Sequence, residues 1–278
     1  MILNIDNPKD SIYFNMLQKA RGVKLIKKYL PHLYVHKQFY VVNTVEEWEQ
    51  IKDNFQGMVT VRTDNRLGCP IPKTQGITRK KEYVSEYIKR TIEVEKNPSF
   101  LCMKLEEGTA ERVDTLGGVV IDDTIGGQVY IDYIGPCFDC REITKGIGAM
   151  QSFCVPWDKL LLFKESNILL KKINEQEYRD IAIKRMEFLI REYPERRYEI
   201  IQKMPNKFKG ISPKIMDDVA KQVLEPLYMK KRELLQDGLN KFDVELNISK
   251  NGRIIPMEIC RPERFLTKKL KEEKDEAR

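Results

Sequence analysis

The chain has 278 residues, enough for one large domain or two modest ones. Its composition, with 41% hydrophobic and 33% charged residues, supports a packed core and excludes an intrinsically disordered chain. The longest purely apolar run covers only residues 160–163, which excludes a membrane-spanning helix. The N-terminus lacks the basic start and long apolar stretch of a signal peptide, so we expect a cytoplasmic protein.

The charge is mildly basic and unevenly distributed. There are 49 Lys and Arg residues against 42 Asp and Glu, which gives a net charge of +7. Residues 179–214 hold ten of the basic residues and five of the acidic ones. Six cysteines in a chain of this length indicate reduced thiols rather than a disulfide framework, and two histidines argue against a His-rich zinc site.

The first third of the chain mixes helices and strands. Apolar residues at helical spacing predict a helix over 11–29, which Pro31 ends. The alternating, Tyr- and Val-rich segment 33–42 predicts a strand. Thr44, with a glutamate three residues later, forms a capping box that begins a helix over 45–55.

Gly57 ends that helix, and the β-branched segment 58–62 predicts a strand. A loop with two glycines and two prolines follows over 63–78, then a helix over 80–94 and a strand over 99–105. The remaining predicted elements are strands over 115–121, 128–134, 242–248 and 253–260 and a helical region over about 165–240. Together these elements predict an α+β fold.

The two C-terminal strands form a hairpin, because Asn251-Gly252 between them is the strongest turn signal in the chain. Asp243, Glu245 and Asn247 share one face of the first strand, since successive side chains alternate. The turn brings Glu245 roughly opposite Glu258. Facing carboxylates repel each other, and a hard cation such as Mg²⁺ between them turns that repulsion into attraction. The alternative is that both carboxylates point into solvent from an exposed sheet.

The segment Glu258-Ile-Cys-Arg-Pro262, with an acidic residue thirteen positions before it across a glycine turn, resembles the metal-binding hairpin of ATP-grasp enzymes. The resemblance implies that Glu245 and Glu258 bind Mg²⁺ on the phosphates of ATP. It also implies that Arg261 contacts phosphate or substrate as a catalytic residue.

Two positions of the hairpin depart from the family pattern. Cys260 stands where the family usually has Asn, and a thiol is a poor ligand for Mg²⁺ because this ion prefers oxygen. Asp243 stands where the family frequently has Arg. These departures leave open a catalytically degenerate module that binds nucleotide without turnover.

The N-terminal half extends the resemblance. Met58-Val-Thr-Val-Arg-Thr-Asp64 resembles the Val-Arg-Ser-Ser strand in the ATP-binding domain of pyruvate phosphate dikinase and phosphoenolpyruvate synthase. By this resemblance Arg62 contacts the nucleotide phosphates and serves catalysis. The resemblance also implies that the loop 68–76 is a flap over the phosphates, and the alternative is that it only connects two elements. The further ATP-binding residues implied in this half are Lys73, Lys104, Leu105, Glu106 and Glu107.

The implied architecture is a two-lobed, ATP-grasp-like α+β fold with ATP in the cleft between the lobes. It divides into an N-terminal α/β segment over 1–56, a small lobe over 57–105 and a large lobe over 106–278, with a helical insertion over about 165–240. The implied function is ATP- and Mg²⁺-dependent activation of a carboxylate on a small-molecule or peptide substrate, as a ligase or a related phosphotransferase.

Three other features allow different interpretations. The basic stretch 179–214 predicts an amphipathic helix with a solvated basic face, and contact with nucleic acid or an acidic protein is the alternative. Cys137 and Cys140 form a lone CxxC, which we interpret as small buried thiols rather than a zinc or redox site. His32 and His36 share a face if their segment is a strand, and we expect them to serve packing or the surface.

Overall fold

A computed structural model describes residues 1–66, 77–95, 97–105, 112–122, 128–135, 151–157, 168–172, 174–192, 194–203, 212–239, 241–249 and 251–260. The chain divides into two units, Met1–Ala110 and Glu111–Arg278. Each unit contains one antiparallel sheet and several helices, which confirms the predicted α+β class. No helix in the described ranges combines the length and the apolar character needed to cross a membrane.

Unit 1 is built on a five-stranded sheet in the order β1-β2-β5-β3-β4, and all neighbouring strands are antiparallel. Its strands are β1 Leu3–Asn4, β2 His36–Val42, β3 Met58–Asp64, β4 Ile77–Lys80 and β5 Ser99–Leu105. Its helices are α1 Ser11–Phe14, α2 Gln18–Tyr29, α3 Val45–Ile51 and α4 Val84–Val94. Short 3₁₀ turns precede α1 and α4 and follow α2 and α3.

Helices cover both faces of this sheet because alternate residues of each strand point to opposite sides. On one side, β5 contributes Leu101 and Met103 to a buried cluster with residues of α2 such as Ala20 and Val23. On the other side, Phe100 and Cys102 of β5 pack in a cluster supplied by α3 and α4, of which the largest side chain is Trp48. The central strand β5 is therefore buried on both faces.

Several predicted elements of unit 1 are confirmed with shifted ends. The strand over 99–105 has the predicted bounds, and the strand from residue 58 extends to Asp64. The capping box is present, because the hydroxyl of Thr44 accepts the N–H of Glu47 at 3.2 Å. The predicted strand over 33–42 begins only at His36, since Pro31–Leu33 form a 3₁₀ turn. The end of the predicted loop 63–78 is wrong, because Ile77 already belongs to β4.

The predicted helix over 11–29 is divided into α1 and α2, and a buried carboxylate explains the division. Leu17 has extended backbone angles and pairs with Arg66. Asp64, fully buried at the end of β3, accepts the backbone N–H of Lys19 at 2.9 Å and of Ala20 at 2.8 Å. These N–H groups at the start of α2 have no partner within the helix, so Asp64 acts as their cap from a distant part of the chain.

Unit 2 is built on a six-stranded antiparallel sheet in the order β11-β10-β6-β7-β8-β9. Its strands are β6 Arg112–Asp122, β7 Gln128–Gly135, β8 Gln151–Pro156, β9 Ile168–Lys172, β10 Lys241–Ser249 and β11 Ile254–Cys260. Its helices are α5 Glu175–Glu192, α6 Arg197–Lys203, α7 Pro213–Val219, α8 Glu225–Met229 and α9 Lys231–Gln236.

The predicted helical region over about 165–240 is wrong at its start. Residues 168–172 form β9, which pairs with β8 at the edge of the sheet. This five-residue segment is too short for periodicity to separate a strand from a helix, and pairing with β8 decides it. The helical part begins at Glu175. Between α7 and α8, residues 220–224 form a π-helical turn that ends two residues before Pro226, a residue that cannot donate a backbone hydrogen bond.

We expect Asp64→Asn to destabilise unit 1. The amide nitrogen would replace one acceptor oxygen and face a backbone N–H, at a cost of about 1–3 kcal/mol. Urea unfolding followed by tryptophan fluorescence of Trp48 measures the change. Asp53→Asn is the matched control, because the side chain of Asp53 is 81% exposed and pairs only with Lys81 among the described residues. Equal midpoints for the two variants would contradict the capping role.

Candidate functional site

The C-terminal hairpin has the predicted turn. Gly252 adopts a φ of 80°, a conformation that glycine tolerates without strain, and its N–H donates to the carbonyl of Ser249 at 2.9 Å. The N–H of Ser249 donates to the carbonyl of Arg253 at 3.0 Å. The turn thereby fixes the pairing of β10 with β11, while β10 also pairs with β6 on its other side.

A β-bulge changes the register of this hairpin halfway along. Close to the turn, Leu246 lies opposite Pro256. Beyond a shift between Glu245 and Leu246, Glu245 lies opposite Glu258 and Asp243 opposite Cys260. Met257 is thus the extra residue of β11. The predicted pairing of Glu245 with Glu258 is confirmed.

The bulge decides which face of the sheet carries Glu258. If the pairing near the turn continued, Met257 would lie opposite Glu245 and Glu258 opposite Val244, on the other face. The sequence alone does not reveal the bulge, because regular pairing across a two-residue Asn251-Gly252 turn would also place Glu245 opposite Glu258. In the structure the pairing next to the turn joins residues an even number apart, as Ile248 and Ile254 show, and the bulge restores the pairing of Glu245 with Glu258, thirteen residues apart. Bulges are frequent beside functional sites, where they redirect a side chain.

The polar face of the hairpin is largely buried. Glu258 is 4% exposed, Asp243 1% and Asn247 2%, while Glu245 is half-buried. The alternative that both carboxylates point into solvent is therefore wrong. The opposite face is apolar and also buried, with the residues Val244, Leu246, Ile248, Ile254 and Ile259. Carboxylates taken out of water need compensating positive charge or hydrogen bonds.

The donor set on this face fits Mg²⁺ shared with a phosphate. Mg²⁺ keeps several waters and is commonly held by one or two carboxylates together with phosphate oxygens. The cross-strand pair Glu245 and Glu258 supplies two carboxylates. No group of three or more His, Cys, Asp or Glu side chains within the described residues could hold a metal ion. The residues accordingly fit an open site completed by a ligand rather than a closed site made of protein alone.

The remaining predicted site residues lie in different parts of the chain. Arg62 lies in β3, is half-buried, and pairs across the sheet with Leu101. Lys104 and Leu105 are the last residues of β5, where they pair with Gln38 and His36 of β2. Lys73, Glu106, Glu107 and Arg261 lie outside the described residues, as do Cys137 and Cys140.

The two histidines do not share a strand face. His32 is exposed in the 3₁₀ turn before β2, whereas His36 is the first residue of β2 and 7% exposed. Burial, assisted by the positive charge of Arg62, lowers the pKa of His36 from 6.5 to about 4. The His36 ring packs edge-on against the rings of Tyr34 and Phe39, at centroid distances of 5.3 and 5.8 Å. No pattern in the sequence predicted this cluster of three rings, because its residues span the junction between a turn and the start of β2.

The basic stretch of unit 2 is less uniformly solvated than predicted. In α5, Arg185 is 1% exposed and therefore belongs to the interior. Arg179 is exposed and pairs with Glu175 one helical turn away, at 2.9 Å. Lys184 and Arg191 of α5 are also exposed. The predicted amphipathic helix is confirmed for this segment, with one arginine moved from the solvated face to the core.

Comparison with known proteins gives no match to a family model and no match among curated sequences. Three solved structures are similar in fold. An L-amino acid ligase from Bacillus licheniformis has a TM-score of 0.42 and 11% identity, over 90% of this chain and 44% of that one. The macrocyclase MdnC from Microcystis aeruginosa MRC, bound with the precursor peptide MdnA, has a TM-score of 0.38 and 12% identity, over 92% and 55%.

The ATP-grasp ligase PsnB, complexed with a minimal precursor, has a TM-score of 0.36 and 14% identity, over 92% of this chain and 54% of that one. The chain thus spans about half the length of each of these three structures. All of these TM-scores lie below 0.5.

We expect the stability of unit 1 to depend on the protonation of His36. The pKa is lower in the folded chain than in the unfolded one, so the unfolded chain binds more protons between about pH 4 and 6.5. The contribution of neutral His36 to the free energy of unfolding is complete above pH 6.5. It is lost as the pH falls towards about 4, a change of roughly 3 kcal/mol.

Urea midpoints between pH 5 and 7.5 measure this dependence, with His36→Gln as the test and His32→Gln as the control. His36→Gln should flatten the curve, while His32→Gln should leave its slope as in the wild type. The carboxylates, including the buried Asp64 whose pKa burial raises, contribute equally to all three proteins. A curve of wild-type slope in His36→Gln would show that His36 does not titrate as its burial requires.

Proposed function

We propose that this protein is an ATP- and Mg²⁺-dependent enzyme of ATP-grasp type that activates a substrate carboxylate as an acyl phosphate. The observation that carries the proposal is the cross-strand pair Glu245 and Glu258, aligned by a bulge on the buried polar face of the hairpin. Two carboxylates that lie opposite each other, one of them almost fully out of water, suit a divalent cation that is itself bound to phosphate.

In this proposal Glu245 and Glu258 hold the cation, which neutralises charge on the phosphates when it is bound. Arg62 contacts the phosphates of ATP, and Arg261 contacts phosphate or substrate. A guanidinium suits these roles because its planar fork pairs with two oxygens at once. The further proposed nucleotide-binding residues are Lys73, Lys104, Leu105, Glu106 and Glu107.

The proposed reaction needs positioning and charge neutralisation rather than a covalent contribution from the protein. A substrate carboxylate oxygen attacks the γ-phosphorus of ATP, and the bond to the bridging oxygen breaks to release ADP. An amine or thiol then attacks the acyl carbon, and inorganic phosphate leaves. Fixed positive charge where the phosphoryl oxygens lie lowers the barrier of the first step. The carboxylate belongs to a small molecule or a peptide.

The alternative is a module that binds nucleotide without turnover, and two observations favour it. Cys260, a half-buried thiol, lies opposite Asp243 where an amide oxygen would suit Mg²⁺ better. Asp243 adds a third acidic group to the polar face, which increases the negative charge that a cation must balance. Binding and turnover are therefore measured separately.

We expect Mg²⁺ and ATP together to raise the melting temperature of the wild type. Ligand at about 100 times its dissociation constant stabilises the folded state by about 2.7 kcal/mol, a shift of several degrees. The shift should shrink in Glu245→Gln and in Glu258→Gln, because each variant loses one charged ligand. Differential scanning fluorimetry with Mg²⁺ alone, ATP alone and both together measures it.

Glu187→Gln is the matched control, since Glu187 is an exposed glutamate on α5 of the same unit. It should keep the full shift. An equal shift in all four proteins would place the ligand away from the hairpin. No shift in the wild type would remove the hairpin from nucleotide binding altogether.

We expect ADP and phosphate, rather than AMP and pyrophosphate, to form when the wild type meets ATP and a suitable carboxylate. A panel of amino acids and short peptides, with hydroxylamine present to trap an acyl phosphate as a hydroxamate, measures this. Glu258→Gln should abolish both products. A melting shift without turnover on any carboxylate would favour the degenerate module, and AMP as the product would contradict the acyl phosphate.

A further inference from the structure

Five buried side-chain polar atoms of unit 1 lack a hydrogen-bond partner within the described residues. Three of them belong to two adjacent side chains, Nδ1 and Nε2 of His36 and the hydroxyl oxygen of Tyr34, and the other two are Oε1 of Gln38 and Nε1 of Trp48. Such an atom loses its bonds to water on folding, and folded proteins therefore pair nearly all of them. An imidazole with both nitrogens unsatisfied, next to an unsatisfied phenol, indicates a place where a ligand supplies the missing partner.

The surroundings hold these groups in fixed positions. The ring of His36 lies edge-on between those of Tyr34 and Phe39, with interplanar angles of 61° and 72°. His36 pairs with Leu105 and Arg62 with Leu101, four residues apart on β5, so both lie on the same face of the sheet. This is the face that α2 covers, and Lys27 of α2 lies 5.8 Å from the ring centroid of Tyr34.

The charges around the cluster favour an anion. Arg62 is half-buried, and its guanidinium makes no hydrogen bond or ion pair with any other residue in the described ranges. Among the residues that the structure describes, the other charged groups next to the cluster are Lys27 and Asp6, which pair with each other. The charges of Lys27 and Asp6 cancel, so the net charge of the three groups is +1 and is carried by Arg62.

We propose that Tyr34, His36 and Arg62 form a binding site for an oxyanion, a carboxylate or a phosphate group. The hydroxyl of Tyr34 and one N–H of His36 donate hydrogen bonds to the anion, and the guanidinium of Arg62 pairs with it. The proposal shares Arg62 with the proposed function and goes beyond it by adding Tyr34 and His36. It is tested without nucleotide or metal, so its failure and that of the hairpin site are distinguishable.

The site couples anion binding to protonation. In the absence of an anion, burial and Arg62 keep His36 neutral, and only one ring nitrogen then carries a proton. A bound anion favours the imidazolium, which donates from both nitrogens. By linkage, anion affinity therefore rises as the pH falls, and the bound anion raises the pKa of His36 by the same coupling.

The experiment is an NMR titration of the full chain with inorganic phosphate and, separately, with acetate, in EDTA and without nucleotide. The chain has only two histidines, so His32→Gln assigns the ring signals of His36. We expect a saturable shift of the His36 signals and a raised His36 pKa. Arg62→Gln should weaken the response about tenfold or more, because it removes a charge-assisted pair.

Tyr34→Phe keeps the ring packing and removes one donor, so it should weaken binding several-fold. Arg90→Gln is the matched control, since Arg90 is an exposed arginine of unit 1 that pairs with Glu86. It should bind as the wild type does. A response to phosphate alone identifies a phosphoryl ligand, and a response to acetate identifies a carboxylate. His36 signals that neither anion shifts at tens of millimolar, or an unchanged response in a folded Arg62→Gln, would overturn the site.

Discussion

The pairing of Glu245 with Glu258 depends on one extra residue in β11. Strand side chains alternate with a period of two, so a register shift of a single residue exchanges the two faces of a strand. Because of the bulge at Met257, Pro256 lies on the apolar face and Glu258 on the polar face. Ile259 remains on the apolar face, where it is buried with Val244. The proposed chemistry of unit 2 follows from this alignment.

The hairpin shows why a buried polar face points to a ligand rather than to stability alone. Its apolar face contributes to the core of unit 2 in the ordinary way. Its polar face carries Glu258 and Asp243 almost fully out of water, which costs free energy unless opposite charge or hydrogen bonds compensate. In the proposed site a cation bound with phosphates adds opposite charge to this face, so we expect ligand binding to stabilise unit 2.

The buried polar groups of unit 1 differ in whether the fold supplies their hydrogen-bond partners. Asp64 is fully buried and finds its partners in the backbone N–H groups at the start of α2, which join β3 to the helix. The two ring nitrogens of His36 and the hydroxyl oxygen of Tyr34 are buried near an arginine, and they find no such partner among the described residues. The first arrangement is complete within the fold, whereas the second calls for an external group. The two unsatisfied nitrogens of His36 lie beside the unsatisfied hydroxyl of Tyr34, and this grouping supports a binding site at His36.

The sequence by itself determined the elements whose signals are local. Three such elements depend only on neighbouring residues and are present in the structure: the capping box at Thr44, the strand over 99–105 and the Asn251-Gly252 turn. The identity of the two carboxylates was also readable, because their spacing across a glycine turn is local. The bulge between them was not readable, because a two-residue turn gives the same odd separation without one.

Only the tertiary structure decided what depends on distant residues. It divided the helix over 11–29, since Asp64 caps α2 from more than forty positions away. It turned residues 168–172 into a strand by pairing them with β8, and it buried Arg185 and His36. Burial and long-range pairing arise from the whole arrangement of elements, so no short window of sequence contains them. The chemistry of Glu258 and His36 depends on that burial.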